Sequence, residues 1–512
     1  MIWLVTKKEF YQNLITFRFI VGTILMILLV VIISWIQIEE YYLKMEAYNY
    51  SLQQNETYLK NVYVYSEIRS IAIKPPEIMS IFCGGVSKKL DGIAEIMRQE
   101  VPFQTAAYLM DNPLLRLFQS IDMVLVFKLI MSLMALLFAF DLFCGEKEDG
   151  TLKLMLSGRV SRAQLFAGKI YGGLLSLAVI SLLGIFMSML VLILSPNVAA
   201  TGEVSVRILM IFIITLVYVS AFYTIGALVS TLTHRSATSL TMSLFIWVVL
   251  VVGLPNLANY TAERLKPIES LKMINEKVEA LREEFEEKLD AYTASHPEPE
   301  GGTVISGTTN ETDGFYRFRK ANLNQFKYYR HFIPFSENLR LEYADKIFSV
   351  RQNYQSTLKQ QADFVTQFSI YSPVRLYECL TSILARTDIV THIDFLNQAR
   401  MYRNQMLDYF HAKNAFRVTR FFSIMTEAEA PDVTSASVFQ DGSEGARIWE
   451  QSNIEWEERP LLSLDDFPRF IHHPESIGIS LQRASLLFCA LLLLNLVLLA
   501  GGYWGFMKYD VR

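Results

Sequence analysis

Cysteine is scarce in this chain: 512 residues hold four, at Cys83, Cys144, Cys379 and Cys489, and none has the C-x-x-C spacing of zinc or redox sites. A thiol-based metal or disulfide framework is therefore excluded as the main source of stability. One bridge, Cys83 to Cys379, stays open, because the topology argued below puts both on one side of a membrane. Surplus positive charge is lacking too. Lys and Arg number 47 against 51 Asp and Glu, a net charge of −4, which gives no basic footprint for nucleic acid. No G-x-x-x-x-G-K-[ST] phosphate loop occurs, and no Ser-His-Asp or paired-carboxylate set stands out, so the chain is not read as an enzyme.

What is present is apolar. Hydrophobic residues make up 52% of the chain and charged ones 19%, and the mean hydropathy is +0.27. A helix needs about 20 mostly apolar residues to cross a bilayer. Six runs meet or approach that length: 19–36, 123–143, 170–194, 206–228, 240–257 and 484–506. The first is not read as a cleavable leader, because no small-residue cleavage site follows it. Lys147, Lys153, Arg159, Arg162 and Lys169 fall in the loop between runs two and three, whereas the next loop has only Glu203 before Arg207. The positive-inside rule then makes the first loop cytoplasmic, with both termini inside a multi-pass inner membrane protein. Lys7, Lys8, Arg18, His234, Arg235, Lys508 and Arg512 agree with that orientation.

The fold class expected is an all-α integral membrane protein: six transmembrane helices and a large, mostly helical extracytoplasmic domain between helices 5 and 6. Residues 1–18, with Trp3, Leu4, Phe10, Leu14 and Phe17 among Lys7, Lys8 and Arg18, suit an interfacial amphipathic helix against membrane lipid. Residues 37–122 and 258–483 are the two segments expected outside, 144–169 a cytoplasmic loop and 507–512 a cytoplasmic tail. In the larger segment, Leu271, Ile274, Val278, Leu281, Phe285 and Leu289 recur at helical spacing between Glu269 and Tyr292. A Pro- and Gly-rich stretch after His296-Pro297 reads as a mobile loop. Helix is expected again from Phe315 to about Phe410, interrupted near Pro334 and Pro373, and strands are expected to be few.

Isolated polar residues have bland readings beside sharper ones. Lys128, in the second run, marks either a translocation path or a snorkelling cation, the latter being simpler. Asp141 reads as interfacial. His472 and His473 with Glu475 could hold a metal, although adjacent histidines are poorly placed to face one ion.

The loop between runs two and three reads GEKEDGTLKLMLSGRVSRAQLFAGK. Leu152, Met155 and Leu156 fall within one turn, and Gly150 and Gly158 punctuate the segment. An acidic entry at Glu146, Glu148 and Asp149 suits a helix N-terminus, so a short amphipathic helix at the cytoplasmic face is expected, against the alternative of a plain surface loop. The stretch resembles the corresponding loop of ABC-type export permeases of the second export class. The matching positions are Gly145 and Glu146, then Gly150, Thr151 and Leu152, then Leu156 and Ser157, then Ser161 and Arg162, with Gly168 and Lys169 opening the next run. Arg159 departs from it, standing where a Pro is common. The 222–232, 247–255 and 508–511 segments are similar to the subgroup linked to gliding motility and copper-enzyme maturation.

The resemblance implies a coupling helix seated on a separate ABC ATP-binding subunit. It implies a second permease subunit, identical or not, and a possible periplasmic or surface partner. ATP and magnesium would belong to the ATPase, and this chain would hold no cofactor of its own. The alternative reading is a membrane-anchored receptor or scaffold with an external helical interaction domain. A secondary transporter ranks lower, because no inverted repeat or polar midplane is evident.

Overall fold

The computed structural model describes residues 1–85, 92–107, 121–157, 160–195, 202–299, 304–305, 318–320, 322–368, 372–430, 432, 442–451 and 459–508. Helix α1, Ile2–Ile15, ends at Thr16, whose extended backbone caps α2, Phe17–Lys60. An α-segment Met123–Val126, a π turn Phe127–Met131 and an α-segment Ser132–Ala139 together form α3. Two short helices follow, α4 at Cys144–Glu148 and α5 at Thr151–Leu156. The long apolar helices α6, Arg162–Leu194, and α7, Gly202–Leu232, come next. Helix α8, Ser236–Val248, runs through a π turn into α9, Leu254–Leu265. Beyond lie α10, Leu271–Ser295, α11, Leu323–Phe368, α12, Pro373–Ala385, α13, Ile389–Ala412, α14, Glu444–Gln451, and α15, Ile477–Met507.

Six helical stretches are long and apolar enough to cross a membrane: Phe17–Lys60, Met123–Glu148, Arg162–Leu194, Gly202–Leu232, Ser236–Leu265 and Ile477–Met507. The expected fold class therefore stands: a largely helical chain with six candidate spans. Small residues let these helices approach closely. A Cβ on Gly226 of α7 would come 2.7 Å from the Ala139 Cβ of α3, the close contact that helix packing in a bilayer favours.

Four features depart from the sequence reading. Helix α2 does not stop where its apolar run ends, but continues to Lys60, for 44 residues in all. At 1.5 Å per residue that is about 66 Å, twice the hydrocarbon thickness. Its polar half keeps a buried stripe, Gln37, Ile38, Glu40, Tyr41 and Lys44, which sustains the helix after hydropathy falls.

A small antiparallel sheet also forms, β1 (Ser70–Ile73) against β2 (Gly92–Ile96) against β3 (Ala106–Ala107). A two-stranded ribbon, β4 (Val304–Ile305) and β5 (Phe318–Lys320), accompanies it. The expected mobile loop after Pro297 lies mostly outside the described residues.

Pro334 does not break α11. Phe326, Tyr329, Ile333 and Tyr343 form one buried stripe on both sides of it, and that packing outweighs one lost backbone bond. Pro373 instead occupies the first turn of α12, where no N–H is needed.

Finally, α12 does not belong to a separate bundle. Its Val374, Tyr377, Leu380 and Leu384 are buried in the same core as the apolar helices. Tyr377 stacks on Tyr218 of α7 with ring centroids 4.3 Å apart. A second core, built on Phe326, Ile333, Phe395, Phe410 and Phe421, holds α11, α13, the sheet and the segment around residue 464. Among the described residues the cysteines are free thiols, so the conceivable Cys83–Cys379 bridge is not formed. Cys83 Sγ instead accepts from Thr387 Oγ1 at 3.8 Å.

Candidate functional site

The segment from Cys144 to Lys169 builds itself from local signals. Gly150 has φ +71°, a left-handed turn that reverses the chain between α4 and α5 and that a side chain would strain. Thr151 opens α5 and Leu152, fully buried, pins it down. Ser161 caps α6: its Oγ accepts from the Gln164 N–H at 3.3 Å while the Gln164 side chain accepts from Ser161 N at 3.4 Å, a capping box. Gly158 and Arg159 lie outside the described residues.

Glu146, Lys147, Glu148, Arg162 and Lys169 of this segment each reach another helix. Lys169, 3% exposed, sits between two carboxylates, Glu9 of α1 at 2.9 Å and Glu146 of α4 at 2.7 Å, and also donates to the Leu142 carbonyl at 3.2 Å. Lys147 donates to the carbonyls of Ser230, Thr231 and Thr233 at 3.3, 2.5 and 3.0 Å, satisfying the orphan acceptors where α7 ends. Glu148 accepts from both the backbone N–H and the hydroxyl of Ser236 at 2.9 Å, closing the first turn of α8. Ser230 Oγ in turn accepts from Phe143 N and Cys144 N at 2.9 and 3.0 Å. Arg162 donates to Met507 O, at the end of α15, at 2.8 Å. Arg18 of α2 pairs with Asp141 at 2.9 Å.

The acidic cluster thus serves helices other than its own. Glu146 points at Lys169, and Glu148 caps α8 rather than a coupling helix.

Helix α1 is held by more than charge. Its Thr6 and Glu9 are buried, while Trp3, Leu4, Lys7, Lys8, Ile15 and, just beyond it, Phe17 are exposed. Two glycines of α6 receive it. A Cβ on Gly168 would lie 2.7 Å from Val5 Cβ, and one on Gly172 2.6 Å from Glu9 Cβ. Phe143, Phe166, Tyr503 and Phe506 pack around the same end of the bundle, with Phe143 and Phe166 stacked at 5.5 Å.

Of the positions singled out in the sequence, Glu146, Lys169 and Arg162 make interhelix contacts, and Leu152 is the anchor. Gly150 and Ser161 set the backbone. Gly145 lies against Asp141 and Ser236, its Cβ position 3.6 and 3.7 Å from them. Thr151 and Ser157 are exposed, and Leu156 is half-buried. The outer face of α5 is Thr151, Lys153 and Leu154, the last 75% exposed. Glu9, Leu154, Ser230 and Ser236 were not singled out. An all but buried lysine on an apolar helix calls for an acidic partner, and that signal would have led to Glu9.

The segment therefore ties the ends of α1, α7, α8 and α15 to α4 and the start of α6. A family model described as ABC-2 family transporter protein matches residues 3–511. The chain belongs to the ABC-2 transporter family. Its members' membrane character fits the six apolar helices found here. This ABC-2 chain is also similar to the probable ABC transporter permease protein NosY of Pseudomonas aeruginosa, at 44% identity over 72 residues. That match covers 14% of the chain and 26% of the relative.

At the far end of α7 the ABC-2 chain carries a second polar cluster. Arg207, 1% exposed, donates to Leu384 O of α12 at 2.7 Å, to Ser480 of α15 at 3.3 Å, and to Glu203 at 2.9 Å. Arg386 pairs with Glu203, and Arg483 with both Asp388 and Glu475. Lys128, read as a translocation-path or snorkelling cation, pairs with Glu378 of α12 at 2.7 Å. His472 packs edge-on to Phe395 at 5.9 Å, and among the described residues neither of its ring nitrogens has a hydrogen-bond partner. His473 engages Gln398 through its backbone, at 2.9 Å in both directions.

Proposed function

We propose that the chain is the permease subunit of an ATP-driven exporter, and that α4 and α5 receive the movement of a separate ATP-binding subunit. One observation carries the reading: the single segment from Cys144 to Lys169 holds the ends of α1, α7, α8 and α15 by buried or capping contacts, with an exposed face, Thr151, Lys153 and Leu154, left on its outer side. A load applied to that face passes directly to α7 and α8, and through α6 to α1 and α15. The positive residues gathered at this end, Lys7, Lys8, Arg18, Arg162 and Arg235 among them, support its placement in the cytoplasm of an inner membrane. The assembly of α10, α11 and α13 would then face outward and meet substrate or a periplasmic partner. ATP and magnesium would be held by the ATPase, and a second permease copy would complete the path.

The test is a pair of changes. Leu154→Glu, on the exposed face, should abolish co-purification of the ATPase and leave the melting temperature of this chain unchanged. Glu146→Lys should keep membrane insertion but uncouple transport, because it places a second cation against Lys169. Docking and transport that survive both changes would sink the proposal, and a chain that never retains an ATPase under gentle detergent would point to a receptor or scaffold.

A further inference from the structure

A cleft, open at its mouth, lies between α10, α11 and the chain that leaves β2. Its apolar wall is aromatic. Phe285 of α10 and Tyr343 of α11 meet edge to face at 5.7 Å, and Phe348 continues the wall one turn on.

Cations ring that wall. The guanidinium of Arg340 lies 5.4 Å from the Phe285 ring centre, and Arg282 and Arg351 also line the cleft. Glu100 and Glu286 are the acids of the lining, and Glu100 is engaged by Arg351. Behind Arg340, the fully buried Glu337 stands 3.9 Å away and is also held by Arg98 at 3.1 Å, so one carboxylate is shared by two guanidiniums. Three cations of the lining thus face two anions over an aromatic surface, with Arg282 also reaching Glu279, outside the cleft, at 3.6 Å.

We infer that this cleft binds a small organic acid with an aromatic or other flat apolar body, the acid on Arg340 and Arg282 and the body against Phe285, Tyr343 and Phe348. Guanidinium groups pair with carboxylates in a two-pronged way, and the aromatic wall supplies a low-polarity setting that strengthens the pairing. Occupancy has a route to the spans. Helix α10 follows α9, the continuation of the fifth candidate span, and Gln361 of α11 donates to Lys266 O at the end of α9 at 2.9 Å. Binding itself does not rest on the permease reading, because it is measured on this chain alone.

The experiment uses the full chain in lipid nanodiscs and trifluoromethyl-phenylacetate as probe, followed by fluorine NMR. Saturable binding is expected, weakened about tenfold by Arg340→Gln and about threefold by Arg282→Gln, with the uncharged amide analogue at least about tenfold weaker than the acid. Arg282 is partly exposed, so its variant decides the matter if Arg340→Gln disturbs folding. Absence of saturable binding, an amide that binds as well as the acid, or affinity unchanged in a folded variant would overturn the assignment.

Discussion

Replacing Lys169 by Met keeps the length of the side chain and removes the one cation between Glu9 and Glu146. Each ion pair is short, 2.9 and 2.7 Å, and the lysine is 3% exposed. Breaking a buried pair by deleting one partner costs about 3–5 kcal/mol, because the remaining charge stays uncompensated. Here the two carboxylate side chains keep 11% and 20% exposure, so water screens part of that cost. A net loss of about 2–3 kcal/mol in the docking of α1 follows, which is about a hundredfold more opening. Thr6 reports on it, since it is 3% exposed at the α1–α6 contact. A thiol introduced by Thr6→Cys should react with a maleimide about a hundredfold faster in the Lys169→Met background. Adding Glu9→Gln and Glu146→Gln removes all three charges and should restore most of the protection. Equal labelling rates with and without Lys169 would refute the reasoning.

Gly172→Val should release α1 without touching a charge. Its Cβ would lie 2.6 Å from Glu9 Cβ and 3.0 Å from the Thr6 carbonyl, which is backbone and can yield only if α1 moves. Overpacking of this kind costs about 1–3 kcal/mol, read as faster labelling at position 6 and a lower melting temperature. His472 gives a pH signature. Burial, with Lys74, Arg386 and His473 nearby, lowers its pKa from 6.5 to about 4. Between those values the unfolded chain binds more protons than the folded one, so stability rises with pH across that window and is lost on acidification. His472→Phe should flatten the dependence of melting temperature on pH from 6.5 down to about 4; a slope equal to that of the native chain would dismiss the assignment.

Hydropathy made the six spans legible, because a bilayer imposes one length and one composition on each of them. It could not show α2 running on to Lys60, since the extension is stabilised by a narrow buried stripe inside a polar sequence. Nor could it place α12, a 13-residue helix too short to span, inside the apolar core. The candidate loop was found by its pattern, but the partners of its charges were not. Glu9 is 160 positions from Lys169, and Ser236 is 88 from Glu148, separations at which no local periodicity exists. The small sheet was missed because its strands are two to five residues long and draw their stability from the second core.

The two polar clusters gain their meaning from α7, which joins them. Arg207 anchors one end of this helix to α12 and α15, while Ser230 and the carbonyls after it are held at the other end by α4. The 23 residue steps from Arg207 to Ser230 make a rod about 35 Å long, close to the thickness of the bilayer core. Its middle has little slack: Tyr218 is stacked on Tyr377, its hydroxyl donates to Lys128 O at 2.9 Å, and Gly226 abuts Ala139. Apolar contacts alone let helices slide in a lipid-like setting, since one greasy neighbour is nearly as good as another. Fixed polar contacts at both ends remove that freedom. A displacement imposed on α4 must therefore travel through α7 as a shift of the whole helix and emerge at α12 and Arg386, 35 Å or so away. On the permease reading, that is how a movement at α5 would reach the polar assembly without bending any single span.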